Sequence, residues 1–343
     1  MRKASSNLSR LGSIMKTFSL WGLLLAVAFA PMQGKTPLGP IPLSITDFAM
    51  LFACVTGLIS RRMNRNEMLT LPLMEAFLPF LLLLVPSCIN AESLLLSGKE
   101  IVKIVAYIVC GSILATAALD DSKWRSRIKT AVYIGFFCGV TLACLNAWTN
   151  IEIIEHISGG ARPVQCCTVL LGGSALLMGW KSTSKAKCLL LLLPFGLLLI
   201  PIRPEFIPDA STPVSTPTPQ RYIEAYAAMS VVADRPLLGV GPGNYQMKIG
   251  EYYRGLPKDN TMPHGSQIGW AVLLATTGLL GLAAFLYWAY CLFSVASFPM
   301  KCGVSVFLLI GFMTPPLAGP ILLPWILIHS MAARNAKKTF FAP

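Results

Sequence analysis

The sequence predicts an all-α, polytopic membrane protein of about ten transmembrane helices, with one long extramembrane loop that carries a short helix. Three observations predict it. The 343-residue chain is 55% hydrophobic and only 13% charged, with a mean hydropathy of +0.64, whereas an ordinary soluble domain carries about 25% charged residues. Long apolar runs recur through most of its length. Its basic residues fall in short clusters between those runs, which makes the net charge of +13 a set of orientation signals rather than a nucleic-acid surface.

The apolar runs lie near 18–32, 43–60, 71–89, 101–119, 129–148, 164–180 and 186–202, and a further one covers 266–293. The first follows Arg2, Lys3, Arg10 and Lys16 and reads as an uncleaved membrane helix, although Ala28-Phe29-Ala30 resembles a signal-peptide cleavage site. The last region, 303–333, is interrupted by Pro315, Pro316, Pro320 and Pro324, and reads as two short or kinked spans. This divides the chain into membrane helices over 1–202, a loop over 203–265 and membrane helices over 266–343. No internal repeat is evident, which argues against a transporter built from inverted repeats.

Every second loop is basic: the N-terminus, Arg61-Arg62-Arg65, Lys123 to Lys129, and Lys181 to Lys187. The positive-inside rule places these in the cytoplasm, and the basic tail at Arg334, Lys337 and Lys338 with them. Loops 33–42, 90–100, 149–163 and 203–265 then share the opposite face. Of the ten cysteines, most sit inside apolar runs without C-x-x-C spacing and read as small hydrophobes.

Loop 203–265 holds most of the polar chemistry. Pro208–Pro219 is a Pro/Ser/Thr-rich tether. Gln220–Asp234 reads as a helix, because Tyr222, Ile223, Tyr226, Met229 and Val232 fall near helical spacing. Pro236 and Gly239 stop it. The run Pro236-Leu-Leu-Gly-Val-Gly-Pro-Gly-Asn244 then forms a fixed turn, since three glycines and two prolines in nine positions continue neither helix nor strand. Its backbone amides, around Gly239, Gly241, Gly243 and Asn244, are candidates to approach a ligand. A polar stretch with Lys248, Glu251, Arg254, Lys258 and Asp259 leads to His264 at the mouth of the next apolar run, where an imidazole exchanges protons near neutral pH.

Three arginines belong to the same face: Arg162 before the sixth run, Arg203 after the seventh and Arg221 at the start of the loop helix. Guanidinium groups there suit two-pronged contacts to phosphate oxygens, and equally to lipid headgroups. The loops contain no H-x-x-x-H, no D-x-D and no acidic pair flanking a histidine, so no metal site is expected. A pyrophosphate would then be neutralised by arginine.

Arg221-Tyr-Ile-Glu-Ala-Tyr-Ala-Ala-Met229, Asp234-Arg-Pro-Leu-Leu-Gly-Val-Gly-Pro-Gly-Asn-Tyr245, His264 and Thr277-Gly-Leu-Leu-Gly-Leu282 together resemble the O-antigen ligase / O-antigen polymerase superfamily over about seventy residues. That resemblance implies a metal-independent, cofactor-free glycosyltransferase of the bacterial inner membrane, with its active site facing the periplasm. It moves a glycan from an undecaprenyl-pyrophosphate carrier to lipid A-core or another glycan acceptor. It also implies that Arg221 and a second arginine hold the pyrophosphate and that His264 acts on the acceptor hydroxyl. The second arginine is Arg162, in Gly159-Gly-Ala-Arg162, or Arg203. The chain departs from the family pattern in having His264-Gly265 in place of His-Asn and in about two fewer spans. The alternatives are a polymerase of the same superfamily, a transporter of lipid-linked sugars and an inactive homologue.

Overall fold

The computed structural model describes residues 2–32, 35–38, 41–63, 74–148, 161–179, 220–252, 269–311 and 319–340. Within them the chain is almost entirely helical: α1 (Arg2–Ala28), α2 (Ile45–Met63), α3 (Met74–Ser87), α4 (Leu94–Val105), α5 (Gly111–Asp120), α6 (Ser122–Trp148), α7 (Ala161–Gly179), α8 (Gln220–Asp234), α9 (Tyr245–Tyr252), α10 (Gly269–Val295), α11 (Phe298–Ile310) and α12 (Gly319–Phe340). Four segments are long and apolar enough to cross a membrane: Leu11–Ala28, Leu94–Asp120, Ser122–Leu145 and Gly269–Val295. Five shorter apolar helices accompany them, among them Ala76–Asn90 and Ile321–Met331. The fold is that of a multi-pass membrane protein. Four of the described helices, rather than about ten, meet the full length. The expected run at 186–202 lies outside the described residues.

Small residues let the helices approach, as membrane interfaces require in the absence of a hydrophobic drive between them. In the α1–α2 pair, Gly22 packs so closely on Ala53 that an added methyl would lie 2.9 Å from its Cβ. In the α6–α7 pair, Gly135 and Gly139 face Leu171 and Thr168. A ring cluster joins α3, α10, α11 and α12: Phe77 meets Trp288 at 4.4 Å between centroids, and Phe307 stacks on Trp325 at 3.9 Å. The outward surface stays apolar, with Leu82, Val85, Leu95 and Val102 between 61% and 65% exposed. Such a surface suits lipid and not water.

One detail differs from the sequence expectation. The segment read as loop 33–42 contains an antiparallel pair, β1 (Lys35–Leu38) with β2 (Ile41–Ser44), in which Pro37 faces Pro42. Proline is tolerated there because an isolated pair is all edge. The hairpin leads directly into α2, whose start is a reciprocal cap: the Ser44 N–H and hydroxyl donate to Asp47 Oδ2, and the Asp47 N–H donates to Ser44 Oγ. The remaining Asp47 oxygen accepts from the Tyr107 hydroxyl at 2.8 Å. Tyr107 is presented by a π-helical turn, Ala106–Cys110, that joins α4 to α5 as one span.

One contact bears on which chain segments share an end of the bundle. The Ser60 hydroxyl donates to the Gly12 carbonyl at 2.8 Å, so the α2 end carrying Arg61 lies beside the basic N-terminal segment. At the other end of the bundle, segments 90–97 and 239–244 are in contact.

Candidate functional site

Gly278 interrupts α10 with φ 68° and ψ −174°, a conformation essentially confined to glycine. Trp270 and Phe285, on either side, bring their rings within 5.8 Å. Their Cα atoms would stand about 22 Å apart along an unbroken helix, so the two arms bend toward each other. The Trp270 N–H donates to the Gly311 carbonyl and its indole Nε1 to the Leu308 carbonyl, which ties the first arm to the C-terminal end of α11.

A break of this kind frees backbone groups on both sides, and the Gly/Pro turn takes them. The N–H groups of Val240 and Gly241 donate to the carbonyls of Ala275 and Thr276 at 2.9 and 3.0 Å. In return the N–H groups of Leu279 and Leu280 donate to the carbonyls of Pro236 and Leu237 at 2.8 and 3.3 Å. The fit leaves no room for a side chain. A methyl on Gly278 would collide with the Leu237 carbonyl, and one on Gly239 would come within 2.5 Å of the Ala275 carbonyl oxygen. Gly239, Gly241 and Gly243 all have positive φ, at 66°, 88° and 77°.

The other side of the turn rests on the start of α4. Asn244 is fully buried. Its Oδ1 accepts from the Ser93 N–H at 2.8 Å, while its Nδ2 donates to Ser97 Oγ at 2.7 Å and to the Pro242 carbonyl at 3.1 Å. Ser97 Oγ donates onward to the Pro242 carbonyl, and Asn90 Nδ2 to the Gly239 carbonyl. These partners were not singled out from sequence. The polar run Asn90-Ala-Glu-Ser93 inside an apolar stretch was the signal that could have found them.

Helices α8 and α9 close over the turn. Ala227, Ala228, Val231 and Val232 of α8 pack with Val240, Tyr245, Ile249 and Ala275 in a small second core. The polar stretch read after the turn is helical in part, because Tyr245 and Ile249, four positions apart, share this buried face. Lys248 bonds to Glu92, and that contact holds its ammonium above the ordinary lysine range. The Tyr252 hydroxyl is pushed up to about 12 by burial, reinforced by its hydrogen bond to Asp234.

The amides of Gly239, Val240, Gly241 and Asn244 are thus spent on protein carbonyls. In this structure the turn is a docking element and not an open cradle for an anion. Gly243 is its exposed glycine, and Asn244 is engaged by α4. Arg221 and Arg162 are the second residues of α8 and α7, and their side chains lie outside the described residues, as do Arg203 and His264 entirely. Among the described residues no group of His, Cys, Asp or Glu is arranged to hold a metal. No family model matches this chain, and no curated protein matches it.

Proposed function

We propose that the protein is an integral-membrane glycosyltransferase that moves a glycan from a polyprenyl-pyrophosphate carrier to a hydroxyl acceptor, without metal, on the face that carries the turn. One observation carries the reading. The two segments on which the family resemblance rests, Pro236–Asn244 and Thr277–Leu282, meet through four backbone hydrogen bonds. Their joint occurrence in the sequence thereby acquires a physical reason, because the glycine break exists to receive the turn. We further infer that the three unbroken long spans, the second arm of α10, the five shorter apolar helices and the run 186–202 make up the ten crossings.

In this reading Arg221, with Arg162 or Arg203, neutralises the leaving pyrophosphate, and His264 accepts the proton of the attacking hydroxyl. The docked turn fixes both ends of the segment that contains His264: Tyr245 through the small core, and Gly269 through the first arm of α10. Its role is positioning, which is where a displacement of about 1 Å costs rate. The test is transfer of a radiolabelled glycan from its polyprenyl-pyrophosphate carrier by the purified protein. Parallel reactions offer lipid A-core or a second carrier-linked unit. Product on the first identifies a ligase and on the second a polymerase; product on neither removes the transferase reading.

A further inference from the structure

Helix α8 is apolar on two opposite sides. Ala227, Ala228, Val231 and Val232 pack into the second core. Tyr226, Met229, Ala233 and, just beyond the helix, Leu237 fall on the other side by their i, i+3, i+7, i+11 spacing. The chain keeps coiling past Asp234, since the Gly239 N–H donates to the Arg235 carbonyl, and this holds Leu237 near the same line. All four are exposed, Tyr226 at 63%, Met229 at 53% and Leu237 at 59%. The stripe carries no charge. Its one neighbouring hydroxyl, on Ser230, donates to the Tyr226 carbonyl of its own helix. Single apolar side chains on a surface are ordinary, but a helix apolar on opposite sides does not suit water.

The stripe runs into a surface that belongs to lipid. The Leu237 carbonyl accepts from the Leu280 N–H at 3.3 Å. Leu279 and Leu280 open the second arm of α10 and are themselves exposed. From Leu279 the exposed side continues through Ala283, Leu286 and Tyr290 at intervals of three or four residues, while Phe285 and Trp288 face the protein. This arm lies in a segment apolar enough to cross a membrane. Lipid around the arm therefore reaches Leu237, and the C-terminal end of α8 stands at the level where the arm begins. Tyr226 suits that boundary, because its ring is apolar and its hydroxyl reaches the headgroups.

We propose that α8 is an interfacial helix whose stripe of Tyr226, Met229, Ala233 and Leu237 is sunk among the headgroups and upper acyl chains of the bilayer. The partner is the lipid surface itself, held through apolar area with no particular headgroup required. The unit of α8 and the Gly/Pro turn is then fixed from two sides, by lipid on the stripe and by α4 and α10 on the turn. The proposal requires only that the chain lies in a membrane, and it stands or falls apart from the transferase reading.

Photo-crosslinking of the full-length protein in phosphatidylcholine vesicles tests it. Tyr226→benzoylphenylalanine and Met229→benzoylphenylalanine put the probe on the stripe. Glu251→benzoylphenylalanine puts it on the charged side of α9, where the glutamate side chain is 53% exposed. Mass spectrometry of the digested protein identifies what each probe has captured. Both stripe probes should carry phosphatidylcholine, several-fold more than the probe at Glu251. Equal lipid capture at all three positions overturns the proposal. So does capture of peptides of this chain in place of lipid at Tyr226 and Met229, whether from the same molecule or a second copy, and so does the absence of any adduct at both. The ring-for-ring change at exposed Tyr226 leaves the buried side of α8 intact. The unmodified protein gives a second reading that needs no variant: in the same vesicles Met229 should react with a water-soluble oxidant several-fold more slowly than in a free peptide spanning 220–234. An equal rate overturns the proposal.

Discussion

Asn244 and Ser93, 151 positions apart, hold each other by two hydrogen bonds: the Ser93 N–H donates to Asn244 Oδ1 at 2.8 Å, and Asn244 Nδ2 donates to the Ser93 carbonyl at 3.4 Å. Ser93 also caps α4, accepting from the Leu96 N–H. One buried amide thus links the Gly/Pro turn to the start of a membrane span. Asn244→Ala strands the Ser93 N–H inside the protein and should destabilise it by about 1–3 kcal/mol. Asn244→Asp should cost more, since it exchanges the donor to Ser97 for a buried charge. Thermal unfolding in detergent ranks the two; an unchanged midpoint for both contradicts the buried network.

Gly278 should tolerate no side chain. Its backbone conformation alone costs a non-glycine residue on the order of 1–3 kcal/mol, and the Leu237 carbonyl blocks the added Cβ. Gly278→Ala should therefore weaken both the fold and any transfer activity. By contrast Gly98, around which an added Cβ meets nothing within 4 Å, should accept alanine without loss. A comparison of expression, melting and transfer for the two variants checks this.

Tyr252 gives a pH signature. Its hydroxyl titrates at about 12 in the folded protein, against an ordinary tyrosine value of about 10. The raised value means that folding favours the neutral phenol. That contribution is fully present below pH ~10 and is lost as the pH rises through the folded value near 12. Burial is the larger cause, so Asp234→Asn should lower the titration only partly. Difference absorbance of the phenolate, wild type minus Tyr252→Phe, reads it. A Tyr252 titration at the ordinary value contradicts both the burial of the hydroxyl and its contact with Asp234.

The residues proposed to carry the chemistry separate by substitution. Arg221→Lys should impair transfer although the charge is kept, because lysine cannot make the two-pronged phosphate contact, while Arg254→Lys should be nearly silent. His264→Ala should cost transfer roughly 10²–10⁴-fold, the worth of general-base help. His264→Asn keeps a good capping residue, and should stay as inactive as alanine. Activity in His264→Asn would leave that histidine a structural cap.

Much of the fold was legible because membrane helices announce themselves by apolar runs. The helix read over Gln220–Asp234 has those bounds in the structure, but Tyr226 and Met229, two of the residues whose spacing suggested it, are exposed, and the buried face is Ala227, Ala228, Val231 and Val232. Glycine's need for positive φ made the turn legible as a turn. Where it docks was not. Thr277-Gly-Leu-Leu-Gly-Leu282 is as apolar as the helix around it, and only a partner from 40 residues away makes Gly278 a break. The same holds for Asn244. A Gly-Asn pair reads as turn chemistry, and its buried role depends on Ser93 and Ser97, far earlier in the chain. The Ser44-Ile-Thr-Asp47 cap has the spacing of a capping box, although it was not read from the sequence. Its link to Tyr107 has no such spacing, since that depends on a local π-helical turn.

The account rests on the turn and the helix break forming one unit, and hydrogen exchange tests that most directly. Peptides covering 236–244 and 275–281 should both be protected in the wild type, because the N–H groups of Val240, Gly241, Leu279 and Leu280 are bonded across the junction. In Gly278→Val both peptides should lose protection together, while those from α6 remain protected. Rapid exchange of 236–244 in the wild type, or a Gly278→Val protein in which that segment stays protected, would contradict the docking on which the proposed function is built.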